Sequence, residues 1–242
     1  MNVYSKGYEP RDFKSEPFGS IVPEAKIAQI PKKDWRELYE FGMKAESFAI
    51  HAHKRNKVKI LNQGSLPYCW MFGTVCAVMT RYAIQGIDPV PYLSATAPAA
   101  QGKKFRKRGG WAAEAVRYIN EFGIPTVDKW PERSLDRRLV KSSEVKKSAD
   151  RHKVTQFQEL PSEDFEIAMS ALLQGHVVTL GLSWWKHLVC GLAPIYENGQ
   201  WGILFANSWG ESWGDKGFGK LFGRKAIAHE YFLVEHVSPR SE

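Results

Sequence analysis

The stretch KHLVCGLAPIYENGQWGILFANSWGESWGDKGFGKL (186–221) decides the fold and the chemistry of this chain. Its first part holds two apolar, β-branched and aromatic runs, separated by Asn198-Gly199, a pair typical of the tight turn between antiparallel strands. His187 opens the first run and Asn207 closes the second, so antiparallel pairing predicts an imidazole beside an amide. Such an amide fixes the imidazole tautomer and leaves the other ring nitrogen to face a reacting group.

Taken alone, His187 is as consistent with a hydrogen-bonded strand histidine as with a base. The segment NSWGESWG (207–214) favours the functional interpretation, because Trp209 and Trp213 stand where they can shield the predicted hydrogen bond from water.

The segment NQGSLPYCWMFG (62–73) supplies a second candidate group, since Cys69 opens an apolar, helix-periodic stretch. At the first turn of a helix, unpaired backbone N–H groups and the helix dipole are expected to lower the pKa of a thiol. A cysteine in that position is more often a packing residue. Gln63 changes the balance, because its side-chain amide and a backbone N–H at the helix start would together form an oxyanion hole.

Periodicity predicts helices over 69–85, 111–122 and 163–174, which end at Gly86, Gly123 and Gly175, with Ser162 as the N-cap of the third. The small residues of the first helix are expected on one face, where another element can pack closely. The runs HVVTLGL, HLVCGLAPIY and WGILFA predict strands after residue 175. Helices followed by strands predict an α+β protein with two unlike halves.

These motifs resemble those of the papain-like cysteine peptidases over residues 30–237. The chain shares the Gln-x5-Cys-Trp pattern at Gln63–Trp70, a Gly-Gly strand at Gly109-Gly110, and His187-Leu188-Val189. It also shares the highly specific Asn-Ser-Trp-Gly-x-x-Trp-Gly pattern at 207–214.

The resemblance implies a two-lobed fold with a helical lobe at about 60–130, a β-rich lobe at about 150–237, and the site between them. It implies that Cys69 is the nucleophile, His187 the acid and base, Asn207 its orienting residue and Gln63 the oxyanion donor. Four further residues are implied to bind a peptide substrate, namely Gly109, Gly110, Trp111 and Trp209. Neither a metal nor a cofactor is implied.

The chain departs from the family at three places. Leu66 replaces a disulfide cysteine, and the partner cysteine before Gly109 is also missing. Only SWWK (183–186) precedes His187, where relatives carry a longer loop, so the cleft is either more open or refilled by Trp184 and Trp185. Lys186 brings an ammonium next to the predicted base. Residues 1–29 are too short for the usual helical propeptide and predict an extended arm before a domain at 30–242.

Composition excludes several classes of protein. Of 242 residues, 43% are hydrophobic, which is enough for a core, and no run reaches the roughly 18 apolar residues of a membrane span. Three cysteines rule out a disulfide scaffold, and Cys76 and Cys190 are expected to be buried small hydrophobes. The start shows no signal peptide, so we expect an intracellular, reducing compartment. His51 and His53 lack matching metal ligands nearby and are expected in a solvated loop.

The chain carries 34 Lys and Arg against 26 Asp and Glu, a net charge of +8, which favours acidic partners. Five of the six residues 103–108 are basic and precede Gly109-Gly110, where they would flank the cleft and favour acidic substrate residues or a polyanionic assembly. Two functions remain: a cysteine endopeptidase, or a papain-fold binding or structural component of a larger, nucleic-acid-containing or viral assembly. The sequence does not predict the oligomeric state.

Overall fold

The computed structural model describes residues 4–16 and 27–238. Its helices are α1 (Trp35–Lys44), α2 (Ala49–Arg55), α3 (Cys69–Ile84), α4 (Thr96–Gly102), α5 (Ala112–Phe122), α6 (Ser143–Asp150) and α7 (Phe165–Leu173). Short 3-10 turns lie at Lys32–Asp34, Arg137–Lys141 and Gly223–Ala226. Within the described ranges, no helix combines the length and the apolar character that crossing a membrane requires.

The strands form one six-stranded antiparallel sheet in the order β1-β6-β2-β3-β4-β5. They are β1 (Val154–Leu160), β2 (Val178–Leu182), β3 (His187–Glu197), β4 (Gln200–Ala206), β5 (Phe218–Phe222) and β6 (Glu230–Val237). The predicted α+β fold with a helical lobe and an antiparallel β lobe is therefore confirmed. Sequence periodicity identified only β2, β3 and β4 of these strands.

Helix α3 lies between the two lobes and is buried around its whole circumference, with only Arg81 and Ile84 reaching the half-buried class. The expectation of a single packing face was thus too narrow, because α5 covers one side of the helix and the sheet covers the other. The close approach was predicted correctly: a Cβ at Gly73 would overlap the Leu188 side chain of β3. This contact brings the start of α3 next to the start of β3.

The β3–β4 hairpin turns through Asn198 and Gly199, whose φ angles of +49° and +78° are those of a tight I′-like turn. The turn places His187 at the start of β3 and Asn207 directly after β4. The predicted juxtaposition of these two residues is therefore a consequence of strand pairing.

Two local predictions were wrong. The N-cap of α7 is Asp164, whose carboxylate accepts the N–H groups of Glu166 and Ile167, whereas the hydroxyl of Ser162 donates to His229. His51 and His53 do not lie in a solvated loop: both belong to α2, and His53 is 1% exposed because α2 packs on α3.

The predicted N-terminal arm does not run over the surface. Its residues 4–16 enter the groove between the lobes, where Tyr8 and Arg11 are only 2% and 3% exposed. Tyr8 forms a parallel β-bridge with Gly110 of the helical lobe. Residues 1–3 and 17–26 of the predicted arm lie outside the described residues.

Candidate active site

The side chains of His187 and Asn207 meet as predicted. The distance between His187 Nε2 and Asn207 Oδ1 is 2.7 Å, and both residues are buried. Asn207 Oδ1 also accepts the N–H of Ser208 at 2.8 Å, which identifies this atom as the amide oxygen. Nε2 of His187 therefore donates the proton, and Nδ1 carries the lone pair.

Aromatic rings enclose this hydrogen bond. The Trp209 ring lies over His187 with centroids 4.4 Å apart, and Trp185 meets the imidazole edge-on at 4.8 Å. Trp184 stacks on Trp185 at 5.6 Å, and Trp213 packs against Trp209. Of the two alternatives left by the short 183–186 loop, the structure shows the refilled one.

Cys69 is the first residue of α3, and its side chain is completely buried. Burial raises the pKa of the thiol to about 12, although the N–H groups of Leu188, Gly7, Trp70 and Tyr8 act in the opposite direction. The expected lowering by the helix start is present in the Trp70 N–H, but burial outweighs it. In this structure Cys69 is therefore a neutral thiol.

The imidazole is neutral as well. Burial lowers the pKa of His187 to about 4; the hydrogen bond to Asn207 opposes this shift, and the nearby Lys6 ammonium of the arm adds to it. Lys186, by contrast, is exposed, and it is its backbone carbonyl that contributes to the groove. Nδ1 of His187 makes no hydrogen bond to any described residue.

Gln63 lies where the oxyanion hole was predicted. Its Oε1 accepts the hydroxyl of Ser208 at 2.6 Å, and its Nε2 donates to the carbonyls of Leu66 at 2.7 Å and Ser5 at 3.1 Å. Ser208 was missed as a positioning residue, although it lies inside the motif that was recognised. Its hydroxyl fixes which end of the Gln63 amide points into the groove.

Gly109 and Gly110 are buried and form one wall of the groove, as the resemblance implied. Gly110 donates its N–H to the carbonyl of Gly7 at 2.9 Å and accepts the N–H of Glu9 at 3.0 Å. A Cβ at Gly110 would overlap the Trp70 ring and the Glu114 carboxylate. Trp111 is half-buried, with the Lys103 ammonium 5.6 Å from its ring centroid.

A buried acidic pair lies at one end of the groove and was missed by sequence reasoning. Glu230 begins β6, and its carboxylate accepts the N–H groups of Ala112 at 3.0 Å and Ala113 at 3.4 Å, at the start of α5. Arg11 of the arm forms ion pairs with Glu230, at 3.9 Å, and with Glu159 of β1. Since these partners are distant in sequence, no local motif signals the pair.

The basic stretch 103–108 is divided between two roles. Lys103 is bound to the Glu114 carboxylate at 2.7 and 2.8 Å, so it belongs to the helical lobe. Lys104 and Arg106 to Arg108 are exposed beside the Gly109-Gly110 wall. Among the described residues, no group of three His, Cys, Asp or Glu side chains could hold a metal ion.

The remaining cysteines behave as the sequence predicted. Cys76 and Cys190 are buried, and all three cysteines of the chain are free thiols. Leu66, at the position of the family's disulfide cysteine, is also buried.

Comparison with known proteins gives the same family. The profile described as papain family cysteine protease matches residues 45–189. Chymopapain of Carica papaya is 21% identical over 185 residues, which cover 67% of this chain and 51% of chymopapain. The chain therefore spans about half the length of this curated relative.

Solved structures share the fold. Digestive procathepsin L 3 of the Tenebrio molitor larval midgut has a TM-score of 0.64 at 19% identity, covering 97% of this chain and 76% of the other. Xylellain, a cysteine protease from Xylella fastidiosa, has a TM-score of 0.62 at 14% identity, covering 96% of each chain. At this level of identity, the structural similarity shows the fold alone.

Proposed function

The chain belongs to the papain family of cysteine proteases, and from that membership we propose that it hydrolyses peptide bonds with Cys69 as the nucleophile. The observation that carries the proposal is the buried hydrogen bond from His187 to Asn207, 2.7 Å long, beside the helix start that holds Cys69. A structural histidine would not need its Nδ1 lone pair left unused next to a thiol. In the proposed mechanism that lone pair accepts the thiol proton.

The first half of the reaction forms an acyl-enzyme. The thiol proton moves to His187 Nδ1, and Sγ attacks the peptide carbonyl carbon while the C=O π electrons move to oxygen. Gln63 Nε2 and the backbone N–H of Cys69, which has no acceptor within α3, stabilise that oxyanion. When the carbonyl reforms, the C–N bond breaks and the imidazolium gives its proton to the leaving amine.

The second half of the reaction regenerates the enzyme. Water gives a proton to His187 and attacks the thioester carbonyl, again forming an oxyanion at the same two donors. Collapse of this intermediate breaks the C–S bond, and the imidazolium proton returns to the thiolate. Asn207 keeps the ring oriented in both halves, because its oxygen holds the Nε2 proton throughout.

The proposed substrate is an extended polypeptide. The two edges available to it are the backbone groups of Gly110 and the carbonyl of Lys186, which would pair with a peptide as an added strand does. The exposed side chains of Lys104 and Arg106 to Arg108 stand beside this wall, which favours acidic residues in the substrate.

The proposal is tested by hydrolysis of a fluorogenic peptide library. Cys69→Ala should abolish turnover and keep the fold, and Cys76→Ala serves as the matched control, because it also removes a buried thiol of α3. Each change is made in the natural chain and in a Gly7→Ala background, for which the following section gives the reason. Equal turnover with and without the Cys69 thiol would contradict the mechanism.

A second candidate function is a papain-fold binding protein without peptidase activity. The complete burial of Cys69, with its thiol pKa of about 12, favours this candidate. If Cys69 is alkylated by iodoacetamide only near the pH of an ordinary thiol even when the arm is displaced, the binding function replaces the peptidase.

A further inference from the structure

Residues 4–16, here called the arm, lie in the groove where the proposed substrate would bind. We propose that the arm is a built-in, reversible inhibitor of the Cys69 site that docks without being cut. This inference rests on the proposed function, since it assigns the regulation of that same site. Four sets of contacts support it.

The first set is the backbone pairing of the arm with both walls of the groove. The N–H groups of Gly7 and Tyr8 donate to the carbonyl of Lys186 at 3.2 and 3.1 Å. On the opposite wall, Gly110 pairs with Gly7 and Glu9 at 2.9 and 3.0 Å. These are the same backbone groups that would pair with a peptide, so the arm and a substrate cannot bind together.

The second set occupies the proposed oxyanion donor. The carbonyl of Ser5 accepts hydrogen bonds from Gln63 Nε2 and from Trp209 Nε1, each at 3.1 Å. Tyr4 stacks on the Trp209 ring, with centroids 4.6 Å apart and an interplanar angle of 13°. The donor that would stabilise an oxyanion is thus already satisfied by the arm.

The third set is the side chain of Tyr8. It is 2% exposed and lies against Gly181 of β2, where an added Cβ would overlap the phenol ring. Burying an aromatic side chain of this kind is a main source of affinity in peptide recognition. The absence of a side chain at residue 181 therefore creates the space in which the arm is held.

The fourth set anchors the far end of the arm. The Arg11 side chain is 1% exposed and pairs with Glu230 and Glu159, while its guanidinium lies 4.5 Å from the Phe13 ring centroid. The carbonyl of Arg11 accepts a hydrogen bond from His229 Nε2 at 3.0 Å. A buried cation between two carboxylates makes this end of the arm specific rather than merely adhesive.

The arm is not placed as a substrate. It presents the N–H groups of Gly7 and Tyr8 to Sγ, and these lack the carbonyl carbon that a nucleophile attacks. The same docking buries Cys69 and brings the Lys6 ammonium near His187, both of which disfavour the thiolate–imidazolium pair. Inhibition should therefore be relieved by displacement of the arm, without cleavage within residues 4–16.

Gly7→Ala tests this inference in the full chain. Gly7 has no positive φ, so alanine fits its backbone, but the added methyl group would overlap the carbonyl of Pro67 and lift the arm from the groove. Tyr8→Ala is the second displacing variant, because it empties the space beside Gly181. Lys14→Ala is the matched control, since Lys14 is an exposed residue of the same arm.

Two readouts are taken on each variant: the rate of Cys69 alkylation by iodoacetamide, followed by peptide mass spectrometry, and the rate of peptide hydrolysis. We expect both rates to rise at least tenfold in Gly7→Ala and in Tyr8→Ala, and neither in Lys14→Ala. A synthetic peptide of residues 4–16 should inhibit the Gly7→Ala chain, whereas the same peptide carrying Gly7→Ala should not. Intact mass should show the natural arm uncut.

The readouts separate the two proposals. Unchanged alkylation and hydrolysis in both displacing variants would overturn the inhibitory arm while leaving the peptidase proposal in place. Faster alkylation without hydrolysis in any variant would show that the arm covers Cys69 but that the chain is not a peptidase, which removes the inhibitory role. Cleavage within residues 4–16 of the natural chain would overturn the claim that the arm is not a substrate.

Discussion

His187 and His53 occupy similar environments in different regions of the molecule. They are 0% and 1% exposed, and each has one ring nitrogen hydrogen-bonded to a polar side chain, Asn207 at 2.7 Å and Thr80 at 2.9 Å. Burial lowers the pKa of both to about 4. By burial, hydrogen bonding and pKa alone, the two histidines cannot be distinguished.

They differ in what covers them. His53 is held between α2, the Thr80 hydroxyl of α3 and the Phe218 ring of β5, all of which belong to the packed core. His187 lies beside Lys6 of the arm, a segment joined to the groove by a few hydrogen bonds and two anchored side chains. A buried histidine is therefore a candidate base when its cover can leave, and a packing residue when it cannot.

The largest expected effect comes from exchanging the two histidines for apolar residues. In the Gly7→Ala chain, His187→Ala should lower kcat/KM by about 10²–10⁴-fold, the usual contribution of a general acid and base. His53→Leu should leave kcat/KM within about twofold of its parent, since the side chain lies outside the groove. Steady-state hydrolysis measures both, and a comparable loss in His53→Leu would remove the distinction.

The hydrogen-bond partners should show the same contrast at a smaller scale. Asn207→Ala should lower kcat by about 10–10²-fold because the ring loses the acceptor that orients it. Thr80→Val should leave kcat unchanged and cost about 1–3 kcal/mol in free energy of unfolding, because His53 Nδ1 would be buried without a partner. Hydrolysis and urea denaturation are measured on both variants. Unfolding of Asn207→Ala would instead give Asn207 a structural role.

The smallest effect is on the pH dependence of stability. The pKa of His53 is about 4 in the folded chain, against 6.5 for a free imidazole, so between these values the unfolded chain binds more protons. Stability should therefore fall as pH drops from 7 to 5, and His53→Leu should reduce that fall by about 1–2 kcal/mol. Urea denaturation at the two pH values measures it. An identical fall in the variant would mean that His53 does not titrate in this range.

Sequence reasoning located those parts of the site that depend on local structure. Cys69 is at a helix start that is recognisable from its small and apolar spacing, and the Asn198-Gly199 turn fixes how His187 reaches Asn207. The arm could not be predicted in the same way, because KGYEPR (6–11) has no periodicity and its partners are more than 100 residues away. His53 was misassigned for a related reason: HAH is polar as text, and only the packing of α2 on α3 buries it.

The Glu230 carboxylate joins the first residue of β6 to the first turn of α5, and so connects the two lobes at one end of the groove. Opening the groove at that end would break charge-assisted hydrogen bonds in a dry environment, which makes the connection mechanically stiff. Adaptation to an incoming chain must then come from the opposite end, where Tyr4 only stacks on Trp209. The groove is in effect a hinge with one fixed jaw, and ligands of different thickness should be accommodated by movement near Trp209 rather than near Glu230.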